Sequence, residues 1–270
     1  MTQDIKWELV IAVAAFIQPW AIKLFNLIFR RPKLEIYETG RIEIGHSGFG
    51  STINLSGTLR PINKDIFVQL VELKITRLSD SAKKDFKWFA FKSGAISMTN
   101  QSPQISIASG FSIPLNAPKQ YNIFFASGTF QEDINASLVP FTKKWSMIQT
   151  EYFSNLPDEA RARPTPAEKT EELFGSLTKT NEAGEFFNHL NELFFWTPGD
   201  YKIELITNTT ETKPVTKAWS FSISREESQG LKNNAAAIIR EACGLGNTYK
   251  FIYKTYPTPD TKTSKKPSTK

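Results

Sequence analysis

Apolar residues follow three rhythms along this chain. The first is a continuous run. Leu9 to Ile17 is wholly apolar, and Leu9 to Phe29 reads as one helix of about 31 Å, roughly the hydrocarbon thickness of a bilayer. In its second half Lys23, Asn26 and Arg30 recur at i, i+3 and i+7 and make one polar stripe. Pro19 is a point at which such a helix can kink, and Trp7 and Trp20 sit where interfacial aromatics would lie. The pattern predicts a membrane-spanning helix over residues 1–31. The alternatives are an interfacial amphipathic anchor, a cleaved signal peptide and a soluble core helix. Only Lys6 precedes the run, whereas Lys23, Arg30, Arg31 and Lys33 follow its apolar part, which puts the C-terminal region on the cytoplasmic face of a single-pass protein. The expected location is a bacterial inner membrane.

The second rhythm is alternation. Lys33–Glu38, Arg41–Ile44 and Thr52–Leu59 place apolar residues at every second position, as do Val71, Leu73 and Ile75 within Asp65–Leu78. Phe86–Phe91, Ile105–Ile107 and Tyr121–Phe125 are further short candidates, and strands return at Asp200–Ile206 and Trp219–Ile223. Turn residues at short intervals between such runs predict an antiparallel sandwich or barrel.

The third rhythm is helical. Leu138, Phe141, Trp145 and Ile148 share one face within 131–153, although Pro140 falls inside that stretch. Pro166 suits the first turn of a second helix, Glu182–Phe195 reads as a third, and Arg225–Ala242 as a fourth, stopped by Gly244. The fold class expected is mainly β with an α insertion: a membrane helix at 1–31, an immunoglobulin-like antiparallel β-sandwich over 32–255 with a helical insertion at about 130–195, and a disordered basic tail at 256–270.

Composition narrows the chemistry. The single cysteine, Cys243, excludes an intramolecular disulfide and a cysteine-based zinc site. The net charge of +6 resembles that of a nucleic-acid binder, but six lysines against Asp260 between Lys250 and Lys270 carry five of those charges. The body is nearly neutral, and a nucleic-acid interface needs its charge on the folded face, so no nucleic-acid partner is expected.

The sharpest local signal is Gly45-His46-Ser47-Gly48-Phe49-Gly50. It has the glycine spacing of a P-loop, but Ser51 stands where the phosphate-binding lysine must be. It misses the G-x-S-x-G nucleophile elbow by one position. Both motifs must lead from a strand into a helix, and the next run, Thr52–Leu59, reads as a strand. A glycine-rich connection between antiparallel strands is the better reading, with His46, Ser47 and His189 kept as the catalytic candidates. On a helix, Glu185, His189 and Glu192 share one face and make the metal candidate, without the matching ligands from other helices that di-metal sites use. No cofactor is expected. In Phe86-Lys87-Trp88-Phe89-Ala90-Phe91, strand alternation puts Phe86 and Trp88 on one side and Phe89 and Phe91 on the other, as in a strand buried on both faces.

The phrase Trp196-Thr197-Pro198-Gly199-Asp200-Tyr201-Lys202-Ile203-Glu204-Leu205 resembles the opening of a late strand in an immunoglobulin-like sandwich, where a tyrosine seals a corner. Tyr37-Glu38-Thr39-Gly40, Ile42-Glu43-Ile44-Gly45 and Gly57-Thr58-Leu59 are similar to the opening of uncharacterised bacterial single-span proteins. That resemblance implies a membrane-anchored sandwich and no known activity. The function expected is a binding or scaffolding protein. It would contact the bilayer through Trp7, Trp20, Lys23, Arg30, Arg31 and Lys33 and meet a protein partner at the membrane. A membrane-associated hydrolase or toxin-like effector, or an accessory subunit of a transporter or channel, are the alternatives.

Overall fold

The computed structural model describes residues 4–29, 31–93, 104–161 and 164–256. Helix α1 (Asp4–Phe29) leads into ten strands: β1 (Lys33–Ser47), β2 (Gly50–Ile62), β3 (Ile66–Arg77), β4 (Lys83–Ser93), β5 (Gln104–Ile107), β6 (Phe111–Ile113), β7 (Lys119–Ser127), β8 (Gly199–Thr209), β9 (Val215–Ile223) and β10 (Ile252–Thr255). Between β7 and β8 come α2 (Phe130–Ser154), α3 (Asp158–Arg161), α4 (Ala167–Leu177) and α5 (Asn181–Glu192). Helices α6 (Arg225–Lys232) and α7 (Asn234–Ala242) precede β10. The tail expected to be disordered lies, from residue 257 onward, outside the described residues.

The immunoglobulin-like sandwich is not what forms. All ten strands join one antiparallel sheet in the order β10-β1-β2-β7-β4-β3-β8-β9, with β5 on β4 and β6 on β3. The two ends of that path come together through side chains. Trp219 of β9 donates from Nε1 to Glu38 Oε1 of β1 at 3.0 Å, Lys217 pairs with the same carboxylate at 3.2 Å, and the Trp219 ring lies 5.3 Å from that of Tyr256 just past β10. The sheet is a nearly closed barrel. Alternation demands one buried face per strand but is silent on what buries it. Here a wide sheet of long, twisted strands curls onto itself, and among the described residues no second sheet stacks against it.

Inside sit the apolar partners of that register, such as Ile42–Leu55–Ile123 and Ile44–Ile53–Phe125, all at or below 1 % exposure. The tyrosine device survives in the new setting: Tyr201 Oη donates to the Thr197 carbonyl at 2.6 Å and to that of Phe195 at 3.3 Å. A bulge between Trp88 and Ala90 breaks the expected alternation in β4. It returns Phe91 to the side of Trp88, with ring centroids 5.0 Å apart, and leaves Phe89 exposed.

A second core lies outside the barrel, where Phe130, Ile134, Phe141 and Trp145 of α2 pack with Phe186 and Leu190 of α5 and Ile238 and Ile239 of α7. These helices form a cap over one end of the barrel. Gly50–Leu55 of β2 is consequently buried at every position, its inner face against the barrel core and its outer face beneath other elements.

The membrane-spanning helix is also corrected. Among the described residues no helix is long and apolar enough to cross a membrane. The uninterrupted run stops at Ile17, and Gln18, Pro19 and Lys23 follow, well short of the ~20 apolar residues that a crossing uses. Nevertheless every described side chain from Ile11 to Phe25 is exposed.

Candidate functional site

The glycine-rich motif is a hairpin turn. Ser47 pairs with Gly50, so Gly48 and Phe49 alone connect β1 to β2. Gly50 takes φ +78°, and a Cβ there would meet the Phe130 ring at 2.5 Å, so both conformation and space require glycine. Ser47 Oγ accepts from the Phe49 amide at 3.3 Å and closes the turn. The cap then holds this turn from several sides. Trp196 Nε1 donates to the Gly45 carbonyl at 2.8 Å, Asn234 Nδ2 to that of His46 at 3.0 Å and Gln131 Nε2 to that of Gly48 at 2.6 Å. The strand-to-helix context that a phosphate cradle or a nucleophile elbow needs is absent from this connection.

Period 2 puts His46 on the inner face with Ile42 and Ile44, at the end of the barrel that the cap seals. It is 1 % exposed, its ring edge-on to Phe194 at 5.2 Å and to Phe130 at 6.2 Å. Among the described residues neither ring nitrogen has a hydrogen-bond partner. Burial, helped by the positive charge of Lys84, lowers its pKa to about 4, against a weak opposing pull from the Gly50 backbone. That pull falls short of hydrogen-bond geometry, and burial governs the ring. His46 is therefore a neutral plug. Ser47 is its neighbour on the strand and points to the opposite face, so the two form no nucleophile–base pair.

The third catalytic candidate is elsewhere. His189 of α5 is half-buried, with Nδ1 2.8 Å from Ser137 Oγ of α2, a bond that ties two cap helices together. Glu185 and Glu192 are exposed, and among the described residues no group of three or more His, Cys, Asp or Glu is placed to hold a metal. Cys243, the lone thiol, is buried beside Trp145, whose Nε1 donates to its carbonyl, and burial pushes the thiol up to about 12.

The membrane-interface candidates lie at the other end. Trp20 is 66 % exposed, with Lys23 Nζ 5.6 Å above its ring. Arg31 and Lys33 are exposed, and Lys33 pairs with Glu35 at 2.9 Å. Arg30 lies outside the described residues, as does the side chain of Trp7. Lys33 is paired with Ile62, at the open end of the same hairpin whose turn is Gly48-Phe49. A 15-residue strand separates the two ends by up to about 46 Å.

Two exposed features escape the sequence pattern. Phe49, Phe89 and Phe124 form an aromatic cluster on the outer face of the sheet, with centroids 4.8 to 6.0 Å apart. On the cap, two adjoining hollows of about 350 and 340 Å³ share Phe187 and Ala236 and run between α5 and the α6–α7 pair. The signal that could have exposed the second feature is Phe187, which stands next to Phe186 but off the Ala183–Phe186–Leu190 stripe that faces the core. No protein-family model, curated protein or solved structure matches the chain.

Proposed function

We propose that this protein is a binding module tethered to lipid: α1 embeds in a lipid surface, and the barrel with its helical cap is held out to a protein partner. The observation that carries the reading is the exposure of α1. Ile11, Val13, Phe16, Ile17, Trp20, Ile22, Leu24 and Phe25 are all exposed, Phe16 by 75 %. At 100° per residue they spread over about 240° of the circumference and leave one sector, with Ala12, Ala15, Pro19 and Lys23, free of large apolar side chains. A partner helix would cover one stripe of about 100° and leave the rest in water. A lipid interface takes the wider apolar sector and leaves the Lys23 side to the headgroups. At ~1.5 kcal/mol or more per large apolar side chain, the unused burial is on the order of 10 kcal/mol, comparable to the whole net stability of a domain.

The flanking charges agree with that reading. Lys23 and Arg31 bring cations to the start of the body, where anionic headgroups would attract each by about 1 kcal/mol. The binding role rests on the chemistry of the body, where the two histidines and the lone thiol serve packing and helix contacts. The test is flotation with vesicles of phosphatidylcholine and phosphatidylglycerol. The full chain should rise with the vesicles, and a chain beginning at Lys33 should stay behind. A full chain that remains at the bottom of the gradient defeats the proposal.

A further inference from the structure

The cap carries the surface at which such a partner would be recognised. The apolar wall of the first hollow is made by Phe174, Ala183, Gly184, Phe187 and Ile239, with Ala236 joining it to the second. Phe187 is 43 % exposed, although α5 buries Phe186 and Leu190 completely. The second hollow is the more polar of the two, with Asn191, Gln229, Lys232 and Asn233 beside Phe187 and Ala236. Neither contains a carboxylate.

Two cations lie along the groove, about 12 Å apart if α6 and α7 are taken as one helical path. They differ in what they can still bind. Arg240 is committed, with both terminal nitrogens on the Glu171 carboxylate at 2.9 and 2.6 Å and Nε on the Gly246 carbonyl. Lys232 is exposed and, among the described residues, has no ion pair or hydrogen bond. The groove therefore grades from an apolar end, where the arginine is neutralised, to a polar end with one unspent positive charge.

Gly184 is the second independent observation. Glycine inside a helix costs about 1 kcal/mol relative to alanine. No internal contact explains it, because a Cβ there would meet nothing within 4 Å. It does keep the floor of the groove low beside Phe187, where the backbone of another chain can approach.

We infer that this groove takes an amphipathic helix of a protein partner, laid along α5 and α7 with its apolar stripe on Phe187 and Ile239 and an acidic side chain on Lys232. The mode is helix-in-groove recognition, with apolar anchors for affinity and one charge pair to set direction. This inference rests on the reading of the body as a binding module.

The probe is a 14-residue helical peptide with leucines at i, i+3 and i+7 and a glutamate one turn beyond, set against the same peptide with lysine in place of glutamate. Both are titrated by fluorescence anisotropy into the full chain in zwitterionic micelles. The glutamate peptide should bind saturably and about tenfold more tightly than the lysine peptide. Lys232→Glu should reverse that preference. Gly184→Phe should abolish binding, with its thermal unfolding checked to show an intact fold. If Gly184→Phe fails to fold, the reversal by Lys232→Glu decides. Equal binding of both peptides, no saturable binding, or binding indifferent to Gly184→Phe overturns the inference. Flotation reads the tether without touching the groove. Partner crosslinking that survives Gly184→Phe would remove the groove and leave the binding-module reading standing.

Discussion

The two ends of the β1–β2 hairpin treat similar side chains in opposite ways. At the turn end, Phe130 and Phe194 close over a histidine until it is 1 % exposed and, among the described residues, has no hydrogen-bond partner for its ring. At the open end, α1 leaves tryptophan, phenylalanine and isoleucine more than half exposed. The first end spends its apolar surface on itself, and a motif with the look of chemistry becomes packing. The second end leaves more than half of each such side chain uncovered, and that is where an external use has to be sought. Exposure relative to need, more than residue type, separates architecture from function in this molecule.

The strongest way to break the buried end is Trp196→Ala. Trp196 is fully buried, stacks on Phe86 at 5.6 Å and holds the Gly45 carbonyl. Its loss should cost about 3–5 kcal/mol in urea unfolding. An effect below about 1 kcal/mol would mean that the cap does not seal the barrel.

The next test uses pH. The folded pKa of His46, about 4, lies below the ordinary value of 6.5, so the unfolded chain binds the proton more readily. The favourable contribution of the neutral ring is therefore full above about pH 6.5, declines as pH falls and is gone below about pH 4, a total of about 3 kcal/mol. Urea midpoints taken between about pH 7 and pH 4 should show that loss in the native chain. His46→Leu should flatten it. An undiminished slope in His46→Leu would place the titration elsewhere.

A smaller effect is expected at Asn234, which is 4 % exposed. Its Nδ2 serves the carbonyls of His46 and Lys250, and its Oδ1 accepts from the Lys250 amide at 2.9 Å. Asn234→Ala should cost about 2 kcal/mol by leaving buried backbone groups unpaired, measurable as a shifted urea midpoint with an unchanged slope.

Much of the local structure is written in the chain. Alternation marks β1, β2, β3, β8 and β9, helical spacing marks α2 and α5, and the neighbouring strands mark Gly45 to Gly50 as a connection, which folding narrows to Gly48-Phe49. Ser224 and Glu227 form a full capping box at the start of α6, a pattern visible in the residues themselves. What alternation cannot carry is the partner of each face. A barrel and a sandwich demand the same period, and the contacts that decide between them, such as Trp219 with Glu38, lie 181 residues apart. Bulges hide for a similar reason. Nothing in Trp88-Phe89-Ala90 announces the extra residue that turns Phe89 outward, nor does Glu38 to Ile42 announce the register shift that joins two short runs into one strand. β6 is only three residues long, too short for a period to show. At the candidate site, adjacency in sequence linked His46 to Ser47, but folding sets them on opposite faces. The groove around Phe187 joins α4, α5 and α7, which no local pattern connects.

The central claim is that α1 lies in lipid and the cap does not. Cys243 is buried with its thiol pushed up to about 12, so Phe16→Cys supplies one reactive site for a nitroxide label. With the full chain on vesicles, collision broadening should be strong with lipid-soluble oxygen and weak with a water-soluble nickel chelate. A label at Phe16 that meets the nickel chelate as freely as one placed at Phe187 would contradict the account.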